Sequence, residues 1–247
     1  MYLDMFGVGS AFNSDELGNN SGFFTNNNDV YLIDCGPDVY LKVIREGLHE
    51  YKNFNIIITH LHNDRVGSLG TLIEFMYYTM KTKVKIISHS KININGHLSI
   101  LGIDPSMYSY IANIDDVSHY HKDNIEIKFF EVDHVHNLNS YGFTIYDDDK
   151  MIIYSGETKE SPEDIIGKAK VSRSVKEITL YMDLSVNNSP VHFSDMSKLK
   201  RDIDKYPYVE FMFMYLDGGI MDYLEAFEEY DISEVNICIP IDIELSE

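Results

Sequence analysis

The chain is 247 residues long and carries 20 Lys+Arg against 40 Asp+Glu, a formal charge of −20. A long polyanion needs a cationic face, yet the most basic stretch, 198–205, interleaves Lys198, Lys200, Arg201 and Lys205 with Asp202 and Asp204 in the manner of a solvated helix face. Long nucleic acid is therefore not expected as a partner, while 44% hydrophobic and 13% aromatic residues supply a core for one large domain or two fused halves.

No apolar run approaches the roughly 18 residues of a membrane span, and the start, with Asp4, lacks the basic-then-apolar order of a signal peptide. Cys35 and Cys238 stand in the apolar contexts YLIDCG and NICIP and read as reduced core thiols. A soluble, unexported, cytoplasmic chain is expected, in the host cytoplasm if the origin is viral.

In chain order, the periodicity predicts strands over 2–8, 21–25 and 30–34, with 26–29 as a hairpin connection, and a helix over 37–46 stopped by Gly47. A buried β-branched strand, 55–59, delivers a polar loop at His60. A helix over 68–80 and a strand over 84–88 follow, then a softer helical or loop region through Tyr110. The second half repeats this grammar: strands over 125–131, 141–146 and 151–155, a helix over 162–169, a strand over 177–182, a helix over 194–203, a strand over 209–215, a helix over 221–228 and a strand over 234–239. Two β-rich, helix-flanked halves, parting near residue 124 without a linker, predict one α/β (α+β) domain, a four-layer αββα sandwich with its chemistry in loops at one end of the strands.

The sharpest motif is Thr59-His60-Leu61-His62-Asn63-Asp64-Arg65 at the end of a buried strand. Two imidazoles two residues apart can turn toward one cation, with Asp64 reaching a neighbouring position. His136, before the strand at 141, and Glu157, in Tyr154-Ser155-Gly156-Glu157, recur at strand ends, so that His60, His62 and His136 make a three-imidazole face and Glu157 adds a carboxylate. His134 competes with His136 for the ligand role, and His136 is the favoured ring. His49, His89, His97, His119 and His121 lack such partners and are assigned surface or core roles. Phe75, Met76, Tyr77, Tyr78 and Met80 crowd one helix in a way that favours a homodimer.

With these motifs the whole chain resembles the metallo-β-lactamase fold superfamily, whose signature is HxHxDH after a strand. Gly7-Val8-Gly9-Ser10-Ala11-Phe12, Gly18-Asn19-Asn20-Ser21, Leu32-Ile33-Asp34-Cys35-Gly36 and the Tyr-Ser-Gly-acid element at 154–157 strengthen the likeness. Asp183, followed by His192 in Val191-His192-Phe193-Ser194, resembles the acid-plus-histidine pair of small tRNase Z-like phosphodiesterases that assists the leaving group. The chain also resembles the phage anti-Pycsar cyclic-nucleotide phosphodiesterases, which are metal-dependent enzymes of this type.

The resemblance implies an αββα fold, a metal-dependent hydrolase of 3′,5′-cyclic nucleotides that counters Pycsar-type immune signalling, catalytic roles for Asp64, Asp183 and His192, and a small nucleotide ligand. Three positions depart from it. Arg65 stands for the last histidine of HxHxDH, Glu157 for a bridging aspartate, and Tyr215 for a late-strand histidine. One zinc ion is therefore expected, with Mn²⁺ or Mg²⁺ as visitors at a doubtful second position. Arg65 is expected to pair with Asp64 and Glu157 or to bind a substrate phosphate. Two alternatives stay open: a homologue that binds and sequesters nucleotide without turnover, and a structural or partner-binding module.

Overall fold

The computed structural model describes residues 2–12, 17–113, 120–122, 124–172, 175–233 and 235–241. The chain divides into two compact units, Leu3–Ile114 with Ile239–Glu247, and Met1–Tyr2 with Asp115–Cys238.

The first unit is a six-stranded sheet in sequence order. Strands β1 (Asp4–Gly7), β2 (Ser21–Asn26) and β3 (Asp29–Ile33) form an antiparallel meander. Strands β4 (Asn53–Ile58), β5 (Val84–His89) and β6 (Tyr108–Asn113) then add in parallel to β3. The Ile56-Ile57-Ile58 run suits β4 because a parallel strand is covered on both faces, and all three isoleucines are buried. Helices α1 (Val39–Arg45), α2 (Asn63–Val66), α3 (Leu69–Tyr78) and α4 (Ile94–Ile100) connect them. Gly47 ends α1 with φ +70°, the left-handed turn that favours glycine.

The second unit holds seven strands, β7 (Tyr120–Lys122), β8 (Ile125–Glu131), β9 (Tyr141–Asp147), β10 (Lys150–Tyr154), β11 (Glu177–Asp183), β12 (Val209–Met214) and β13 (Val235–Ile237), again side by side in sequence order. Here too a meander, β7 to β10, precedes parallel additions, β11 to β13. Helices α5 (Pro162–Ala169), α6 (Met196–Lys205) and α7 (Ile220–Glu229) carry the crossovers. Ser161 opens α5 with a capping box to Asp164. Because β8 runs the same way as β10, β11 and β12, the loops that follow these four strands leave from one edge of the sheet.

The region read as helical or loop through Tyr110 holds the helix α4 and ends in a strand that was not expected, β6, whose burial is broken by exposed Ser109 and Ala112 and so lacks a clean alternation. The edge strand β7 was likewise not foreseen. His119 lies outside the described residues. Among the described residues no helix is long and apolar enough to cross a membrane.

Candidate functional site

In the first unit the chemistry gathers where β3 and β4 end. Asp34, at φ +57° just past β3, receives the Thr59 amide at 2.9 Å on Oδ1 and the Thr59 hydroxyl at 2.8 Å on Oδ2. The single hydroxyl proton is thereby committed to Asp34, so the Thr59 oxygen, 3.1 Å from His60 Nδ1, accepts from that ring. Nδ1 of His60 therefore carries the proton and Nε2 presents a lone pair, an orientation typical of a metal-ligating imidazole backed by a carboxylate. His60 Nε2 lies 3.0 Å from His62 Nδ1. Two ring nitrogens this close need a proton or a cation between them.

Arg65, 1% exposed, is among the largest fully buried side chains. Its Nη1 donates to the Asn20 carbonyl at 2.5 Å and lies 3.9 Å from Asp34 Oδ2, while Nε stands 3.5 Å from Asp64 Oδ2. Asp64 and Arg65 sit on the one-turn helix α2, which docks onto the loop after β3 through Cys35 N–H to Arg65 O at 2.6 Å and Ser68 N–H to Cys35 O at 3.1 Å. Gly36 permits this approach, since a Cβ there would meet Asp64 O at 2.3 Å. Beside it, burial pushes the Cys35 thiol up to about 12, against the opposing Ser68 hydrogen bond.

In the second unit the side chains come from the loops after β8, β10, β11 and β12. His134 Nδ1 lies 3.1 Å from the Val191 carbonyl, which can only accept, so Nδ1 carries the proton. Its Nε2 faces Glu157 Oε2 at 2.9 Å, both groups buried. Facing a ring nitrogen against a carboxyl group in this way requires a proton on one of the two groups or a shared cation. Glu157 is delivered by Gly156, at φ +66°, where a Cβ would meet Tyr141 O at 2.7 Å. Asp183 is fully buried; its Oδ2 accepts from the Thr158 amide at 2.9 Å and from His192 Nδ1 at 2.7 Å. Burial pushes the Asp183 carboxyl up, with the His192 charge and hydrogen bond pulling the other way. The His192 ring lies 5.3 Å from that of His134 and 4.6 Å from that of Tyr215.

Among the described residues, the donors that could hold a metal ion are His60 and His62 in the first unit and His134 and Glu157 in the second. Imidazole nitrogens, those of His60 and His134 in a fixed tautomer, and a buried carboxylate suit a zinc-like divalent ion. The structure places His134, and not the favoured His136, among these donors. The chain turns at 136–137, leaving His136 exposed, whereas His134 is buried and tied to Val191 and Glu157. Spacing alone, both histidines preceding β9, did not separate the two rings. Asp64, expected among the ligands, stands outside this donor set with its carboxylate against Arg65. Asp183 and His192 are brought together as expected.

A sequence profile of the family described as "Anti-Pycsar protein Apyc1" matches residues 1–210. A ribonuclease Z of Methanococcus aeolicus is 27% identical over 156 residues, 63% of this chain and 42% of the relative, so the chain spans less than half the length of that relative. The metallo-β-lactamase fold protein YhfI of Bacillus subtilis superposes with a TM-score of 0.75 at 17% identity, over 96% of this chain and 95% of that one. Human tRNase Z, short form, superposes with a TM-score of 0.70 at 14% identity, over 99% of this chain and 100% of that one. The fold is the metallo-β-lactamase fold, the expected αββα class.

Proposed function

The chain belongs to the anti-Pycsar protein Apyc1 family, and on that premise we propose that it is a metal-dependent phosphodiesterase that opens the ring of 3′,5′-cyclic nucleotides, thereby countering cyclic-nucleotide immune signalling. The observation that carries this reading is the confrontation of His134 Nε2 with Glu157 at 2.9 Å while Nδ1 is held by a carbonyl, an arrangement that a shared cation would satisfy.

In this proposal the metal ligands would be His60 and His62 of the first unit and His134 and Glu157 of the second, donors whose chemistry suits zinc. Bound there, the ion would acidify water and withdraw charge from a phosphoryl oxygen. The protein supplies the rest. Asp34, through Thr59, keeps the His60 Nε2 lone pair turned toward His62. Asp183 binds the Nδ1 proton of His192, so the Nε2 edge of His192 is the one that gives a proton to the departing alkoxide. Arg65 keeps the Asp34 and Asp64 charges neutralised without exposure to solvent. Its commitment to these partners supports a fixed internal cation in preference to a phosphate ligand. The homodimer expected from the α3 aromatics belongs to the same proposal, checked by light scattering.

The test is hydrolysis of a panel of cyclic mononucleotides by the zinc-loaded chain, with chelator and His62→Ala as controls. Ring opening that both controls abolish supports the enzyme. Tight nucleotide binding without product replaces it with a sequestering protein, and a metal-free chain that neither binds nor cleaves replaces it with a partner-binding module.

A further inference from the structure

Tyr215 is the residue in this region that the proposed chemistry does not use. It follows β12 at φ +62°, the left-handed region that a bulky side chain rarely adopts and that persists only where the surroundings over-determine it. Those surroundings are built to hold it. Two residues on, the Asp217 carboxylate accepts from the Ser185 hydroxyl at 2.5 Å and the Val186 amide at 3.1 Å. Asn187 Nδ2 donates to the Asp217 carbonyl at 3.0 Å. The Tyr223 hydroxyl accepts from Asp217 N–H at 3.1 Å and lies 2.7 Å from the Leu184 carbonyl. On the other side of Tyr215, Leu184 N–H donates to Met214 O at 3.3 Å. The loops after β11 and β12 are thus stitched together on both sides of the unfavourable residue.

What the strained backbone achieves is an aromatic face against His192: the ring centroids are 4.6 Å apart and the planes 32° from parallel, with Tyr215 buried. Asp183 holds one edge of the imidazole through a 2.7 Å hydrogen bond, and the Tyr215 ring lies against its face, so that edge and face contacts together fix the plane of the ring.

We propose that Tyr215 is a positioning residue, whose ring, held in a left-handed backbone by the Asp217–Tyr223 stitching, orients the proton-donating edge of His192. This rests on the reading of His192 as the general acid, and the experiment keeps the two separable. Zinc-loaded full chain is compared with Tyr215→Phe, which keeps the ring, and Tyr215→Asn, which removes it with a residue that tolerates the left-handed region. The ring protons of His192, assigned by their loss in His192→Gln, are followed by NMR at one pH, and kcat and KM for a cyclic nucleotide are measured in parallel.

The expected result is an upfield ring-current shift of the His192 protons in the wild type and Tyr215→Phe that disappears in Tyr215→Asn. Turnover should follow: kcat within about twofold of wild type for Phe, but lowered roughly 10–100-fold for Asn with KM and zinc content little changed, the scale of a misplaced catalytic group. A wild-type spectrum without the shift, or a Tyr215→Asn chain with wild-type kcat, overturns the role of Tyr215. A chain that shows the shift but hydrolyses no cyclic nucleotide leaves the stacking in place and removes the general-acid reading instead.

Discussion

The two units offer donors of the same kind in opposite ways. In the first, His60, His62, Asp64 and Arg65 lie within six residues of one another, on one loop and one helical turn, and a relay from Asp34 through Thr59 fixes the ring of His60. In the second, His134, Glu157, Asp183, His192 and Tyr215 come from separate loops and are ordered by contacts to one another and to backbone carbonyls. The first unit also buries its own cation, Arg65, against Asp34 and Asp64; the second sets imidazoles against Glu157 and Asp183. Local sequence can specify a neighbouring pair of donors, whereas a cluster drawn from separate strands needs several loops ordered by the sheet edge that carries them.

The sharpest break of this contrast comes from removing one ring on the local side. His62→Ala should empty the site as measured by elemental analysis and lower hydrolysis by on the order of 10³-fold or more. On the composite side, Asp183→Asn should leave the metal content unchanged while lowering kcat by roughly 10²–10⁴, the contribution of a positioned general acid. The relay offers an intermediate test. Thr59→Val removes the hydroxyl between Asp34 and His60 and should weaken metal affinity by about 10–100-fold in a competition titration, with kcat at saturating metal close to wild type. Smallest is the effect of the thiols. Cys35 and Cys238 are both pushed up to about 12 by burial, so the folded state disfavours their thiolates. The stability this leaves is fully present below the ordinary thiol range, near pH 9, and is lost as pH rises toward 12. Both thiols should resist a disulfide reagent at pH 8 in the folded chain and react on unfolding.

Much of this was legible in the sequence because the information was local. The β-branched run Ile56–Ile58, the hairpin at 26–29, the Gly47 stop and the pair His60 and His62 each act within a few residues, and the structure places them as the pattern predicts. The pairing of Asp183 with His192 was read from the resemblance, nine residues apart, and the geometry joins them at 2.7 Å. What stayed hidden depends on where a loop turns after it leaves its strand. His134 and His136 share the same residue type and nearly the same position, and only the Val191 carbonyl and the turn at 136–137 decide which ring faces inward. The arginine was visible, but its carboxylate partner Asp34, thirty-one residues earlier, becomes its neighbour only because β3 and β4 run in parallel.

The most direct measurement is the metal content and turnover of His134→Ala beside His136→Ala. If His134 is a metal ligand and His136 is not, the first variant loses both metal and hydrolysis while the second keeps full metal content and wild-type turnover within about twofold. A His136→Ala chain stripped of metal, with His134→Ala still loaded and active, would contradict that assignment.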